Sequence, residues 1–165
     1  MSEQLKNHAY HLGGLVADLH SLEFTLRAFL HGLPDARPLG ISYGADIYSQ
    51  PVGTVLRESD FTSYDTLGEL IDKYNVEMAK RGCALIDRTL VQVRDALSHG
   101  RVSAKRIDDD CRIIKFSKPD KTGHVMITFN ETMTTAWYTA QKKRVCDAVR
   151  LVDSNVKTSA PKVRD

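Results

Sequence analysis

The sequence predicts a mainly α fold: an antiparallel bundle of about four helices with a β-hairpin added before the last one. Three observations lead there. Apolar residues recur at helical spacing over most of the chain, the period changes to two only between 111 and 129, and proline and glycine crowd into 32–62. With 165 residues, the chain has the size of one compact domain. We read 1–153 as a single helical domain and 154–165 as a flexible C-terminal tail.

The first helix rests on Leu12, Leu15, Val16, Leu19, Leu22, Leu26, Phe29 and Leu30, whose steps of three and four make one apolar stripe. His20, Glu23 and Arg27 take the opposite face. Gly13–Gly14 weakens the middle by about 1 kcal/mol per glycine relative to alanine, which a stripe of this length overrides. Gly32 and Pro34 end the helix. No period survives among Pro34, Pro38, Gly40, Gly44, Pro51 and Gly53, so 32–62 is an irregular insertion. Tyr43, Ile47, Tyr48, Val52, Val55 and Leu56 are expected to hold it to the body. A short second helix starts near Asp65 with Leu67, Leu70, Ile71 and Tyr74 and breaks near Asn75. Met78, Leu85, Ile86, Leu90, Val93 and Leu97 then mark a third helix, kinked at Gly82 and running to His99. Gly100 falls where a helix ends in a left-handed residue, which glycine adopts without steric cost.

Arg101–Asp110 reads as a charged linker. Val125, Ile127 and Phe129 then alternate with Met126 and Thr128, Cys111–Phe116 is the partner strand, and Lys118–Gly123 has turn chemistry. Together they form a β-hairpin over 111–129. Thr134 is the expected N-cap of the last helix, with Met133 stapled against Tyr138. Ala136, Trp137, Ala140, Val145, Ala148, Val149 and Val152 supply its buried face.

Composition narrows the functional classes. A net charge of +2, from 23 basic and 21 acidic side chains, is no polybasic arm, so any nucleic-acid contact needs a local patch. Cys83, Cys111 and Cys146 are odd in number and form no Cys-x-x-Cys pair, which argues against a disulfide framework or a zinc site. His8 and His11 lack a third ligand and read as an exposed pair. No metal or cofactor is expected. No apolar run approaches the roughly 20 residues of a membrane span, and no leader pattern opens the sequence. A cytoplasmic setting without a membrane partner is the expectation.

The chemistry-bearing stretch is Arg94–Asp95–Ala96–Leu97–Ser98–His99, at the end of the third helix. Residues four apart lie about 40° apart around a helix axis, so Asp95 comes beside His99. A carboxylate there can accept the Nδ1 proton and leave Nε2 aimed outward, while the helix C-terminus favours the charged ring. Arg94 and His99 lie about 140° apart, so they converge on a phosphate only across the final turn or across a seam between two such helices. A guanidinium suits a phosphorane gaining negative charge. Arg88, Arg101, Lys105 and Arg106 form a candidate track for a nucleic-acid backbone, partly neutralised by Asp108–Asp110. An ordinary helix end accounts for the same residues on spacing alone, since its macrodipole favours Arg and His by up to about 1 kcal/mol.

The stretch 94–99 matches the Arg-x4-6-His motif of HEPN domains, with a polar residue directly after the arginine, and Gly100–Arg101 resembles the frequent His-Gly-Arg ending of that motif. Leu19–His20–Ser21–Leu22–Glu23–Phe24–Thr25–Leu26–Arg27–Ala28–Phe29–Leu30 is similar to the opening helix of several such families. Thr66–Leu67–Gly68–Glu69–Leu70–Ile71 resembles a segment that precedes the motif helix. The resemblance implies an antiparallel bundle, usually a homodimer with both Arg–His pairs in one cleft. It further implies a metal-independent endoribonuclease of toxin–antitoxin, phage-defence or RNA-processing systems, with RNA as substrate and an antitoxin or nucleotidyltransferase as protein partner. Arg94 would then stabilise the scissile phosphate, His99 act as acid or base during 2′-hydroxyl attack, and Asp95 orient His99. Members without activity are binding modules, so a helical module for a partner protein or a nucleotide is the alternative. Asp95 stands where asparagine is common in the family, and the 111–129 hairpin is additional to the minimal bundle.

Overall fold

Four helices make up about half of the described residues: α1 (Glu3–His31), α2 (Leu67–Lys80), α3 (Leu90–His99) and α4 (Thr135–Ser159). A short 3-10 turn spans Ile47–Ser49, and three strands, β1 (Arg101–Ser103), β2 (Arg112–Phe116) and β3 (Ile127–Thr132), lie between α3 and α4. This computed structural model describes residues 2–40, 46–106 and 109–159. Tyr43, Gly44, Asp108 and the part of the expected tail beyond Ser159 lie outside them. The chain divides into two compact units, Met1–Leu22 with Asp87–Val149 and Glu23–Ile86 with Arg150–Asp165.

The second unit is built around Leu26, Phe29 and Leu30 of α1 and Leu67, Leu70, Ile71, Tyr74 and Met78 of α2, all buried. Phe29 meets the Tyr74 ring edge-on at 5.0 Å. A capping box starts α2: Thr66 accepts from the Glu69 N–H, and the Glu69 carboxylate accepts from the Thr66 N–H at 2.7 Å. The helix runs through Asn75 rather than breaking there, because that side chain faces a loop instead of its own backbone. Its amide donates to the Ile86 carbonyl at 3.0 Å and accepts from the Ile86 N–H at 2.8 Å. Gly82 is a stop and not a kink. It takes φ +66°, and the N–H groups of Cys83 and Gly82 donate to Met78 and Ala79, the pairing of a Schellman end. The expected third helix from Met78 therefore begins only at Leu90, and Leu85 is exposed.

Arg27 is not the solvated residue its helix face predicts. Its guanidinium donates to the carbonyls of Ser63 at 2.8 Å and Asp65 at 2.7 Å and to the Glu23 carboxylate at 3.0 Å, and only 14% of the side chain is exposed. It thereby holds the approach to α2. Within the described part of the insertion the 3-10 turn is the one regular element, and Tyr48, Val52 and Val55 are exposed rather than packed. Lys73 bridges Asp60 at 3.1 Å and Asp65 at 2.7 Å on the same side.

The first unit buries Leu15, Leu19 and Leu22 of α1, Leu90, Val93 and Ala96 of α3, Ile113 of β2, and Met133, Tyr138, Val145 and Ala148. Gly13 and Gly14 lie within a continuous α1. The Thr134 cap forms, with the Trp137 N–H donating to its hydroxyl at 3.0 Å, and Met133 lies against Tyr138, whose hydroxyl donates to its sulfur at 3.5 Å. Ala136 and Ala140 prove exposed, since the buried stripe runs through Tyr138, Val145, Ala148 and Val152. His8 and His11 are not an exposed pair. His8 Nδ1 lies 2.9 Å from the Tyr138 hydroxyl, and the His11 ring stacks on the Tyr138 ring at 5.5 Å. α4 continues to Ser159, past the boundary expected at 154.

The expected hairpin is a three-stranded antiparallel meander, β1-β2-β3, its first strand lying in what reads as a linker. Val102 pairs with Ile113 and Lys115 with Phe129, while Phe116 pairs with Ile127, leaving Thr128 unopposed at a bulge. The turn closes on Asp120, whose carboxylate accepts from the N–H groups of Thr122 at 2.8 Å and His124 at 3.0 Å.

Replacing Arg27 with alanine removes the donor from the part-buried carbonyls of Ser63 and Asp65, so Arg27→Ala should lower the unfolding free energy by about 1–3 kcal/mol. A urea denaturation curve superimposable on the parent's would contradict this role.

Candidate nucleic-acid interface

α3 is set at its first turn by a neighbour of its cap. Asp87 accepts from the Thr89 hydroxyl at 2.6 Å, the Thr89 N–H at 2.9 Å and the Arg144 guanidinium at 2.7 Å. These donors, the Thr89 hydroxyl first, hold the Asp87 carboxyl down at about 2. Arg144 donates to the Thr89 hydroxyl as well, so α4 fixes where α3 starts.

The other end of α3 differs from expectation. Gly100 is extended, with φ −75° and ψ 170°, not left-handed. Its N–H donates to the Ala96 carbonyl at 2.7 Å. A Cβ at this position would sit 2.4 Å from the Ala96 oxygen and 2.9 Å from Ile113 Cγ1. Glycine is required here for space between helix end and sheet rather than for its φ range.

With α3 anchored at both ends, His99 is exposed at the rim of a groove of about 860 Å³. Arg101, Lys115 and Lys118 also line it, and Phe116 and Val125 add apolar surface. The Arg101 guanidinium lies 5.3 Å from the Phe116 ring centroid, within cation–π range. Asp95 lines the same groove but makes no hydrogen bond to His99 among the described residues; the expected orienting contact is not formed. Its carboxylate is instead engaged by Lys115 Nζ at 3.4 Å and by the Arg94 guanidinium at 3.6 Å. Helical spacing does bring Asp95 towards His99, but a lysine from the neighbouring strand competes for the carboxylate. Arg94 itself is one-third exposed and lies outside the residues lining the groove.

The proposed backbone track is only partly assembled. Arg101 belongs to the groove, and Arg88 lines a second pocket of about 370 Å³ with Gln92, Lys115 and Phe129. Lys105 and Arg106 are exposed on the loop after β1 and line neither. Sequence reasoning missed Lys115, Lys118 and Phe116. A signal existed for Lys115: it lies two residues from Ile113 on one strand, so it shares the face of that buried residue.

Among the described residues no cluster of three or more His, Cys, Asp or Glu side chains is placed to hold a metal ion, and no helix is long and apolar enough to cross a membrane. Comparison with protein-family models, with curated proteins and with solved structures returned no match.

Gly100→Ala should push α3 off the sheet and cost about 1–3 kcal/mol, read as a lowered melting temperature. The Asp87 carboxyl is held below its unfolded value of about 3.9. Its contribution is therefore present above about pH 4 and fades as the pH falls towards about 2. Asp87 is more than half exposed, so the effect should stay below about 1 kcal/mol. Asp87→Asn should flatten that portion of the stability–pH curve, as followed by thermal melts from neutral pH downward.

Proposed function

We propose that the protein is a metal-independent endoribonuclease of HEPN type, cleaving RNA by 2′-hydroxyl attack in a cleft completed by a second copy of the chain. The observation that carries this reading is the placement of an exposed His99 at the end of α3 in a groove with Arg101, Lys115 and Lys118. A polyanion is attracted to such a cluster although the whole chain carries only +2.

In this mechanism His99 removes the proton from the ribose 2′-oxygen or delivers one to the departing 5′-oxygen. The 2′-oxygen bonds to phosphorus as the phosphorus–5′-oxygen bond breaks, leaving a 2′,3′-cyclic phosphate and a 5′-hydroxyl. Arg94 neutralises the phosphorane from across the seam between two copies. DNA lacks the nucleophile and is not cut. The resemblance of 94–101 to HEPN motifs supports a toxin–antitoxin or phage-defence setting for such an activity, with an antitoxin or nucleotidyltransferase as protein partner.

One observation favours a second reading, a non-catalytic helical module that binds a partner protein or a nucleotide. Asp95 is held by Lys115 and Arg94, and the imidazole lacks the orienting carboxylate that acid–base chemistry uses.

Digestion of a labelled single-stranded RNA in excess chelator separates the two. The parent should cleave, whereas His99→Ala and Arg94→Ala should each lose at least about 100-fold in rate with unchanged melting temperatures. Cleavage by His99→Ala at the parental rate removes the catalytic assignment. A parent that does not cut RNA removes the nuclease reading and leaves the non-catalytic module.

A further inference from the structure

The groove at His99 and the pocket at Arg88 share three residues: Asp95, Lys115 and Thr128. They are thus neighbours along α3, and the Asp95–Lys115 ion pair stands between them. At 3.4 Å that contact is long compared with the ~2.7–2.9 Å of a well-formed charge-assisted hydrogen bond. Both side chains keep part of their surface in water, 25% for Lys115 and 36% for Asp95. A pair of this kind holds weakly, and its ammonium can change partners. A phosphate oxygen makes the same demand on an ammonium as a carboxylate does.

We propose that the two pockets form one track for a single-stranded nucleic acid, in which Lys115 binds a backbone phosphate next to His99 and Asp95 occupies Lys115 until that phosphate displaces it. The chemistry along the track fits one strand. Cations line it at Arg88, Lys115 and Arg101, and apolar rings at Phe116 and Phe129. Unpaired bases can stack on such rings, whereas a duplex keeps its bases turned inward. The carboxylate then acts as an internal competitor that sets a threshold for binding. This inference rests on reading the groove as an RNA site, but it does not require cleavage.

The test uses a fluorescent 2′-O-methyl oligonucleotide, which has no free nucleophile, titrated by anisotropy over a range of salt concentrations. The proteins are the parent, Asp95→Asn, Lys115→Gln and the double variant, each checked by thermal melting. Asp95→Asn should bind about three- to fivefold tighter, the fold-change equivalent of losing one partly exposed ion pair. Its log–log salt dependence should match the parent's, because Lys115 makes the same phosphate contact in both, whereas Lys115→Gln should flatten it by about 0.7, one phosphate contact fewer on a single strand. Lys115→Gln should bind more weakly than the parent, and in that background Asp95→Asn should no longer give the gain in affinity. Lys115→Arg should retain binding. Parental affinity in Lys115→Gln, an affinity gain from Asp95→Asn that persists in full without Lys115, tighter binding of a duplex of the same sequence, or no binding of the oligonucleotide each overturns the proposal. Cleavage of RNA without Lys115 dependence would remove this inference and leave the nuclease assignment standing. Linked binding with no cleavage by the parent would do the reverse.

Discussion

The contact on which the first unit's surface depends is the approach of Gly100 to Ile113. The chain passes from helix to strand without a spare residue: His99 ends α3 and Arg101 opens β1. The turn is tight enough that an added Cβ would overlap both the Ala96 carbonyl oxygen and the strand's buried isoleucine. Because Arg101 pairs with Ile114 and Val102 with Ile113, the same contact brings β2 alongside the end of α3. Lys115 then reaches Asp95 and Phe116 comes under Arg101. A local steric fact thus assembles charges that are distant in sequence into one groove.

How much of this could be read beforehand depended on whether the deciding neighbour was local. The α1 stripe and the Thr134 cap with its Met133–Tyr138 staple involve residues a few positions apart, and they appear as expected. The end of α2 failed to emerge because helical spacing continues in the sequence across Gly82, while the stop is made by backbone hydrogen bonds and by the Asn75 amide reaching Ile86. β1 is three residues long, too short for any period to register. Arg27 looked like a surface residue because the carbonyls it satisfies belong to the irregular segment more than thirty residues onward.

The candidate site shows the same division. His99 and Arg101 share the groove because one follows the other across Gly100. Lys105 and Arg106, close in sequence, point to a loop that lines neither pocket. Asp95 has the spacing to meet His99, yet its partners are its neighbour Arg94 and a lysine from β2. Spacing along a helix limits which side chains can meet. It does not say which will prevail when a strand supplies a stronger competitor.

Thr128 makes the meander a structure with an adjustable tip and a fixed waist. At the tip, the residues from Asp120 to His124 are all exposed and line neither pocket, and the turn closes on its own Asp120, so length can vary there without disturbing the strands. At the waist, the unopposed Thr128 bends β3, and its hydroxyl donates to the Lys115 carbonyl at 3.3 Å. Deleting that one residue would restore simple alternation and straighten the strand, withdrawing the side chain that borders both pockets. Relatives of this chain should therefore tolerate tips of many lengths around a waist of constant count.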